Sequence, residues 1–336
     1  MSNENLPRIA VTMGDPAGVG PEIILKALQQ PEIYAICRPV VYGDLARMRF
    51  AAREALLTLS VFPDDGGGAT PHILRVHQAT TANLSAIQWG ELSAEAGKAA
   101  AESVITAAQS ATKGEVAAIV TAPLNKEAMA LGGFAYPGHT ELLAEVTGTK
   151  NYGMLLVSDC LRVIHVSTHV ALQEAIARVK TPRILNCIRL GQQACRELGI
   201  EAPRIAVAGL NPHAGENGLF GTEDANEIAP AALQAQAEGI DATGPHPPDT
   251  LFARAAQGNF DLVVAMYHDQ GHIPVKLYGF DSGVNITVGL PIIRVSVDHG
   301  TAFDIAGKGT AREYSLLEAL RVAAKIISYK AAQPPD

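Results

Sequence analysis

The sequence predicts an α/β protein built on a mostly parallel sheet. Short β-rich apolar runs alternate with helical stretches from one end of the chain to the other, the pattern of parallel strands joined by helices. Most of the runs are apolar throughout rather than alternating, which places the sheet inside, covered on both faces. Hydrophobic residues make up 48% of the 336 positions and charged residues 18%, a composition suited to a packed core rather than to disorder. The length allows one large unit or two lobes with separate cores.

Strands are predicted at 9–12, 39–42, 73–76, 117–121, 154–157, 162–166, 205–208 and 262–265. Apolar spacing near the helical period predicts helices at 93–112, 182–198, 225–238 and 315–328. The loop after the first strand, MGDPAGVGPE at 13–22, enters a helix with Pro21 near its first position. It resembles a phosphate-cradling turn, yet matches neither GxGxxG nor the Gly-Lys-Ser/Thr ending of a Walker loop, so a plain tight turn stays open. The glycine patch at 64–68 reads as a surface loop, and GPHPPD at 244–249 as a rigid, pre-shaped one. No internal repeat is visible.

A formal net charge of -8, with no Lys/Arg run and no basic–aromatic stripe, argues against a nucleic-acid partner. The first eight residues carry neither a basic nor an apolar leader region, and runs such as 262–266 are strand-sized, so neither a signal peptide nor a membrane span is expected. A cytoplasmic enzyme is the expectation. Cys37, Cys160, Cys187 and Cys195 form no CxxC pair. Cys187 and Cys195 fall eight apart on one predicted helix, too far to bond, so reduced core thiols are expected.

In open parallel sheets ligands bind beyond the carboxyl ends of strands. Three histidines stand there: His169 after the run at 162–166, His213 after 205–210 and His268 after 262–267. One such histidine is ordinary loop packing. Three from separate strands make a metal site with an open position for substrate as reasonable a reading as packing. His165 lies within an apolar strand and reads as a hydrogen-bonded core residue, while His72, His77 and His246 carry no signal of chemistry. His272, four past His268, shares its side if that stretch is helical. GHTE at 138–141 opens a predicted helix, where free N–H groups favour an anion. Lys276, Asn285 and Arg294 suit phosphate or carboxylate recognition, although spacing alone reads Lys276 and Arg294 as ordinary surface charges.

The combination is more specific than its parts. GDPAGVGPE at 14–22, TAPLNKEA at 121–128, YPGHTE at 136–141, LNPHAGENGLFG at 210–221, PPDTLF at 247–252, MYHDQGH at 266–272, VNITVGLPIIR at 284–294 and SVDHGTAFDIAGKG at 296–309 occur in that order. In them, from about Ile9 to Leu320, the sequence closely resembles the 4-hydroxythreonine-4-phosphate dehydrogenase family. The stretch at 299–309 also looks like the nucleotide loop of the isocitrate and isopropylmalate dehydrogenases.

The resemblance implies a two-lobed α/β/α fold with the active site in the interlobe cleft. Lobe one would comprise 1–125 and 290–336, and lobe two 126–289 with the metal and substrate residues. A homodimer is implied, with His169 and His213 from one protomer and His268 from the other as ligands of one divalent metal (zinc, magnesium, manganese, cobalt or nickel). His139, Thr140, Lys276, Asn285 and Arg294 match the family's contacts to a small phosphorylated acid. His299, Gly300 and Thr301 belong to the loop for NAD, and Asp304 matches the acid that bonds the adenosine ribose. The implied chemistry is hydride transfer from a metal-held hydroxyl, with decarboxylation. Asp249 is its expected base or the residue orienting it; a helix N-cap is the alternative.

QGHIPVK at 270–276 and AFDIAGKGTA at 302–311 differ from the QGLPVLK and ALDLAGTG expected of the vitamin B6 enzymes. They look closer to the branch acting on D-threonate and D-erythronate 4-phosphate. A terephthalate cis-dihydrodiol dehydrogenase is a third reading. A metal hydrolase could use the same histidines and Asp249 but has no use for the nucleotide loop, and the missing signal peptide argues against a periplasmic-type binding protein.

Overall fold

The computed structural model describes residues 6–55, 59–279 and 283–333. Residues 1–5, part of the stretch read for a leader, and 334–336 of the expected first lobe lie outside them. The chain divides into two compact units, one running up to Lys150 and resuming at Leu290, the other Asn151–Gly289.

The first unit contains β1 (Arg8–Thr12), α1 (Gly20–Ala27), β2 (Arg38–Gly43), α2 (Leu45–Glu54), β3 (Ser60–Pro63), β4 (Ile73–Gln78), α3 (Ala94–Thr112), β5 (Ala118–Thr121), α4 (Lys126–Leu131) and α5 (His139–Val146). The second contains β6 (Gly153–Val157), β7 (Arg162–His165), α6 (Leu172–Arg178), α7 (Thr181–Glu197), β8 (Ile205–Ala208), α8 (Ala229–Ala237), β9 (Ala242–His246), α9 (Pro248–Ala256), β10 (Leu262–Ala265), α10 (His268–Gly279) and β11 (Val284–Val288). The chain then returns to the first unit as β12 (Arg294–Val297) and α11 (Tyr314–Ala332).

Strands of the first unit lie in the order β3-β4-β2-β1-β5-β12, every pair parallel. β1 and β5 are buried along almost their whole length, as their uninterrupted apolar sequences require. Asp44, Ser93 and Asn125 accept hydrogen bonds from the first turns of α2, α3 and α4, caps worth roughly 1 kcal/mol each. The second unit is ordered β11-β6-β7-β10-β8-β9 and is mixed: β6 pairs antiparallel with both β11 and β7, and the other pairs are parallel. Its core packs Leu156, Val163, Ala206, Val263 and Ala265 of the strands against Leu251, Phe252 and Val275 of α9 and α10.

Several sequence expectations need correction. Residues 126–150 belong to the first unit, because α4 and α5 both pack on α3; His139 and Thr140 move with them. β3, β9, β11 and β12 were not foreseen. β9 runs through the GPHPPD segment, and as a terminal strand of its unit's order it tolerates a proline that a central strand would not. Polar Asn285, Thr287, Arg294 and Ser296 hid the other pair of late strands. The single helix expected at 225–238 is a π-turn at Asp224–Ile228 followed by α8, since Pro230 has no N–H to continue a regular ladder. All four cysteines are free thiols, three of them buried. Among the described residues no helix is long and apolar enough to cross a membrane.

Candidate active site

Arg294, at the start of β12, is only 3% exposed, so the surface-charge reading of it is wrong. Its Nη2 donates to Thr121 Oγ1 at the end of β5, 2.8 Å away. Burial pulls the guanidinium down to about 9, opposed by the nearby Glu141 carboxylate. His139 and Thr140 form the first turn of α5, and Thr140 is buried. Burial, then the charges of Arg294 and Lys126, hold His139 well below its ordinary range, so the ring is neutral. Its Nε2 is buried without a hydrogen-bond partner among the described residues. Lys126, which sequence reading passed over, opens α4 under the Asn125 cap. Its Cε lies 3.7 Å from where a side chain on Gly138 would begin. Two cations and a helix N-terminus converge here, an environment that stabilises a multiply charged anion. TAPLNKEA at 121–128 was the available signal for Lys126.

The loop joining β12 to α11 carries His299, Gly300, Thr301 and Asp304. It is fastened to the 13–22 loop: Val19 N donates to Thr301 O at 3.0 Å, and a Cβ on Gly18 would sit 2.9 Å from that oxygen. Glycine at 18 therefore serves close loop-to-loop approach. Buried Glu22 accepts from the N–H groups of Gly309 and Ala311, and Lys26 donates to their carbonyls. Sequence reading missed this pair. Asp304 and His299 stay exposed, and His299 Nδ1 lies 3.0 Å from Gly300 O. Asp15, in the 13–22 loop, is fully buried. Its Oδ1 accepts from Ala17 N at 2.8 Å. Burial pushes its carboxyl up to about 6, against the opposing pull of that bond and of Arg47.

The second unit holds the three strand-end histidines. His169 follows β7 and His268 opens α10; their ring centroids are 5.6 Å apart. His268 Nδ1 is 2.7 Å from Asp269 Oδ1, which leaves Nε2 as the nitrogen free to bind a ligand. His272 stacks on His268 at 3.6 Å, one helical turn on. His165, expected in the core, is buried, its Nδ1 near Met154 O and its pKa brought down to about 3 by burial. His213 lies in a left-handed turn after β8, with Phe220 6.3 Å from its ring. Five successive residues, His213 to Asn217, have positive φ. Each non-glycine residue in that region costs about 1–2 kcal/mol.

Among the described residues no group of three or more His, Cys, Asp or Glu side chains is arranged to hold a metal. A single chain thus brings His169 and His268 together and not His213, a pairing that differs from the implied one of His169 with His213 in one protomer and His268 from its partner. Three imidazoles suit a divalent ion such as zinc, nickel or cobalt as a donor set, but one copy of the chain does not complete it. Lys276 sits half-buried two turns along α10, and Asn285 in β11 keeps its Oδ1 buried with no partner among the described residues. Asp249 is an exposed residue in the first turn of α9. Pro247 occupies the N-cap without a side-chain bond, so the capping alternative for Asp249 is excluded.

The two units have an α/β fold shared with known dehydrogenases. A Thermococcus kodakarensis β-decarboxylating dehydrogenase shares the fold at a TM-score of 0.53 and 14% identity over 97% of this chain and 84% of that one. Residues 35–323 match the family described as Pyridoxal phosphate biosynthetic protein PdxA, and the chain belongs to that family. It is 49% identical to a D-threonate 4-phosphate dehydrogenase of Cupriavidus necator, over 98% of this chain and 100% of that protein. A crystal structure of 4-hydroxythreonine-4-phosphate dehydrogenase from Klebsiella pneumoniae superposes with a TM-score of 0.86 at 46% identity, covering 96% and 99% of the two chains. Like these relatives, the chain is a dehydrogenase.

Proposed function

We propose that the protein oxidises a four-carbon phosphorylated hydroxy acid of the D-threonate or D-erythronate 4-phosphate type, using NAD and a divalent metal, with decarboxylation. The observation that carries the substrate class is the buried Arg294 beside neutral His139, Thr140 and Lys126. A guanidinium held out of water recognises a phosphate by a fixed fork of donors. His139, uncharged, offers a hydrogen bond through its unpartnered Nε2 without adding a third charge. Lys276 and Asn285 are assigned to the same substrate. The particular acid is supported by the name of the Cupriavidus relative, and 4-phosphohydroxythreonine is the second reading, favoured by the Klebsiella likeness.

His169, His213 and His268 would hold the ion, with the third ligand from a second copy of the chain. When bound, the ion supplies Lewis-acid polarisation of the substrate's hydroxyl and carboxylate, and the nicotinamide supplies the hydride acceptor. Asp249 is assigned as the base that takes the hydroxyl proton, or the residue that orients that base. Asp304 would accept the ribose 2′-hydroxyl and disfavour a 2′-phosphate. The keto acid formed, with its carbonyl β to the carboxylate, then loses carbon dioxide. Homodimerisation is supported by α10, which exposes Ile273, Leu277 and Tyr278 beside His268 and Lys276.

The test is NADH formation over D-threonate 4-phosphate, D-erythronate 4-phosphate, 4-phosphohydroxythreonine and their unphosphorylated counterparts. The first two are expected to be the best substrates. Equal turnover of unphosphorylated acids would overturn the phosphate assignment, and exclusive use of 4-phosphohydroxythreonine would transfer the protein to the second reading.

A further inference from the structure

The turn that carries His213 is strained, and the backbone bonds within it are few: Ala214 N to Asn211 O, Leu219 N to Glu216 O and Phe220 N to Gly215 O. His213, Ala214, Glu216 and Asn217 have φ of 53, 55, 42 and 55°, a run of left-handed backbone that side-chain-bearing residues avoid because Cβ meets the carbonyl oxygen. Contacts from outside the turn also bear on it. One comes from Asp224, at the start of the π-turn and 1% exposed. Its Oδ1 accepts from Leu210 N at 2.8 Å, and its Oδ2 accepts from Asn211 N at 3.1 Å and Asn211 Nδ2 at 2.9 Å. The carboxylate sits inside the bend, where a Cβ on Gly209 would lie 2.8 Å from Oδ1 and 3.0 Å from Ala214 Cα. A second tie comes from α10, whose Gln270 donates to Gly209 O at 2.7 Å and accepts from Met266 N at 2.6 Å.

We propose that Asp224 is a positioning residue for metal binding: its carboxylate clamps the backbone before the turn and so holds His213 in its strained presentation. This rests on the reading of His213 as a ligand. Three N–H donors converge on two carboxylate oxygens. An asparagine keeps the shape but turns an NH2 group toward one of those donors, so Asp224→Asn breaks the clamp with little change in volume.

Zinc affinity, measured by competition with a chromophoric chelator, is compared for wild type, His213→Ala, Asp224→Asn and the double variant Asp224→Asn/Glu216→Gly. Amide hydrogen exchange at Leu210 and Asn211 is followed in metal-free protein. Asp224→Asn is expected to weaken zinc binding about 10–100-fold, the range found for residues that orient ligands, and to speed exchange at those two amides. Glu216→Gly should restore part of the affinity, because glycine accepts positive φ without strain. If Asp224→Asn does not fold, Asn211→Ala removes one of the three donors from the same carboxylate and should weaken zinc binding likewise. Wild-type zinc affinity in Asp224→Asn alongside loss in His213→Ala would overturn the clamp and leave the ligand reading standing. A loss that glycine does not relieve would also overturn it. Zinc binding unaffected by His213→Ala would instead sink the ligand reading; unchanged exchange would then sink the clamp as well.

Discussion

Arg294 is one cation among 26 lysines and arginines in the sequence, and nothing in its spacing marks it as buried. Its position at the start of β12, bonded to Thr121, removes it from water. Asp15 is the acidic counterpart. Its folded pKa of about 6 stands above the ordinary 3.8, so the native state favours the protonated form. The stability this group contributes is fully present below 3.8 and is lost as pH rises through 6, a difference on the order of a few kcal/mol. Asp15→Asn does not titrate, so the stability difference between wild type and variant should shift in the variant's favour between about pH 4 and about pH 8. Chemical denaturation at the two pH values checks it; an unchanged difference would show that Asp15 ionises without cost.

At the scale of elements, α10 carries two of the residues assigned to the proposed site, His268 and Lys276. His268, His272 and Lys276 follow at four-residue intervals and so share a side of the helix, while Ile273 and Leu277 form an exposed apolar pair. The strand-end placement of His268 was legible, because a short apolar run ending in a polar cluster is a local signal. The exposed pair was not, because helical spacing alone does not say which face a neighbour covers. If α10 forms the proposed dimer contact, Leu277→Asp should give a folded monomer by sedimentation and lose turnover. A dimer that persists with full activity would place the contact elsewhere. The turn after β8 shows the opposite limit. LNPHAGENG reads as a loop, and nothing local records its five successive positive φ values or the bonds from Asp224, thirteen residues beyond Asn211, to its entry.

At the scale of the whole molecule, one chain gathers two of the three expected ligands and leaves the donor set incomplete. If the proposed dimer shares its sites, mixing inactive His268→Ala and His213→Ala proteins should regenerate activity. A mixed dimer would have one site with both lesions and one with neither. No recovery after demonstrated subunit exchange would mean that each protomer builds its site alone.

By itself the sequence determined the α/β class, eight of the strands, the strand-end histidines and the family, because periodicity, turn chemistry and long motifs are local properties. Tertiary structure alone decided which of the two units takes residues 126–150, that β6 runs antiparallel to its neighbours, and that Arg294 and Asp15 are buried. The physical reason is common to all of them. Burial, strand partnership and a strained turn depend on which distant segments pack together, and α3 against α4 and α5, or Asp224 against Leu210 and Asn211, are contacts no local pattern records.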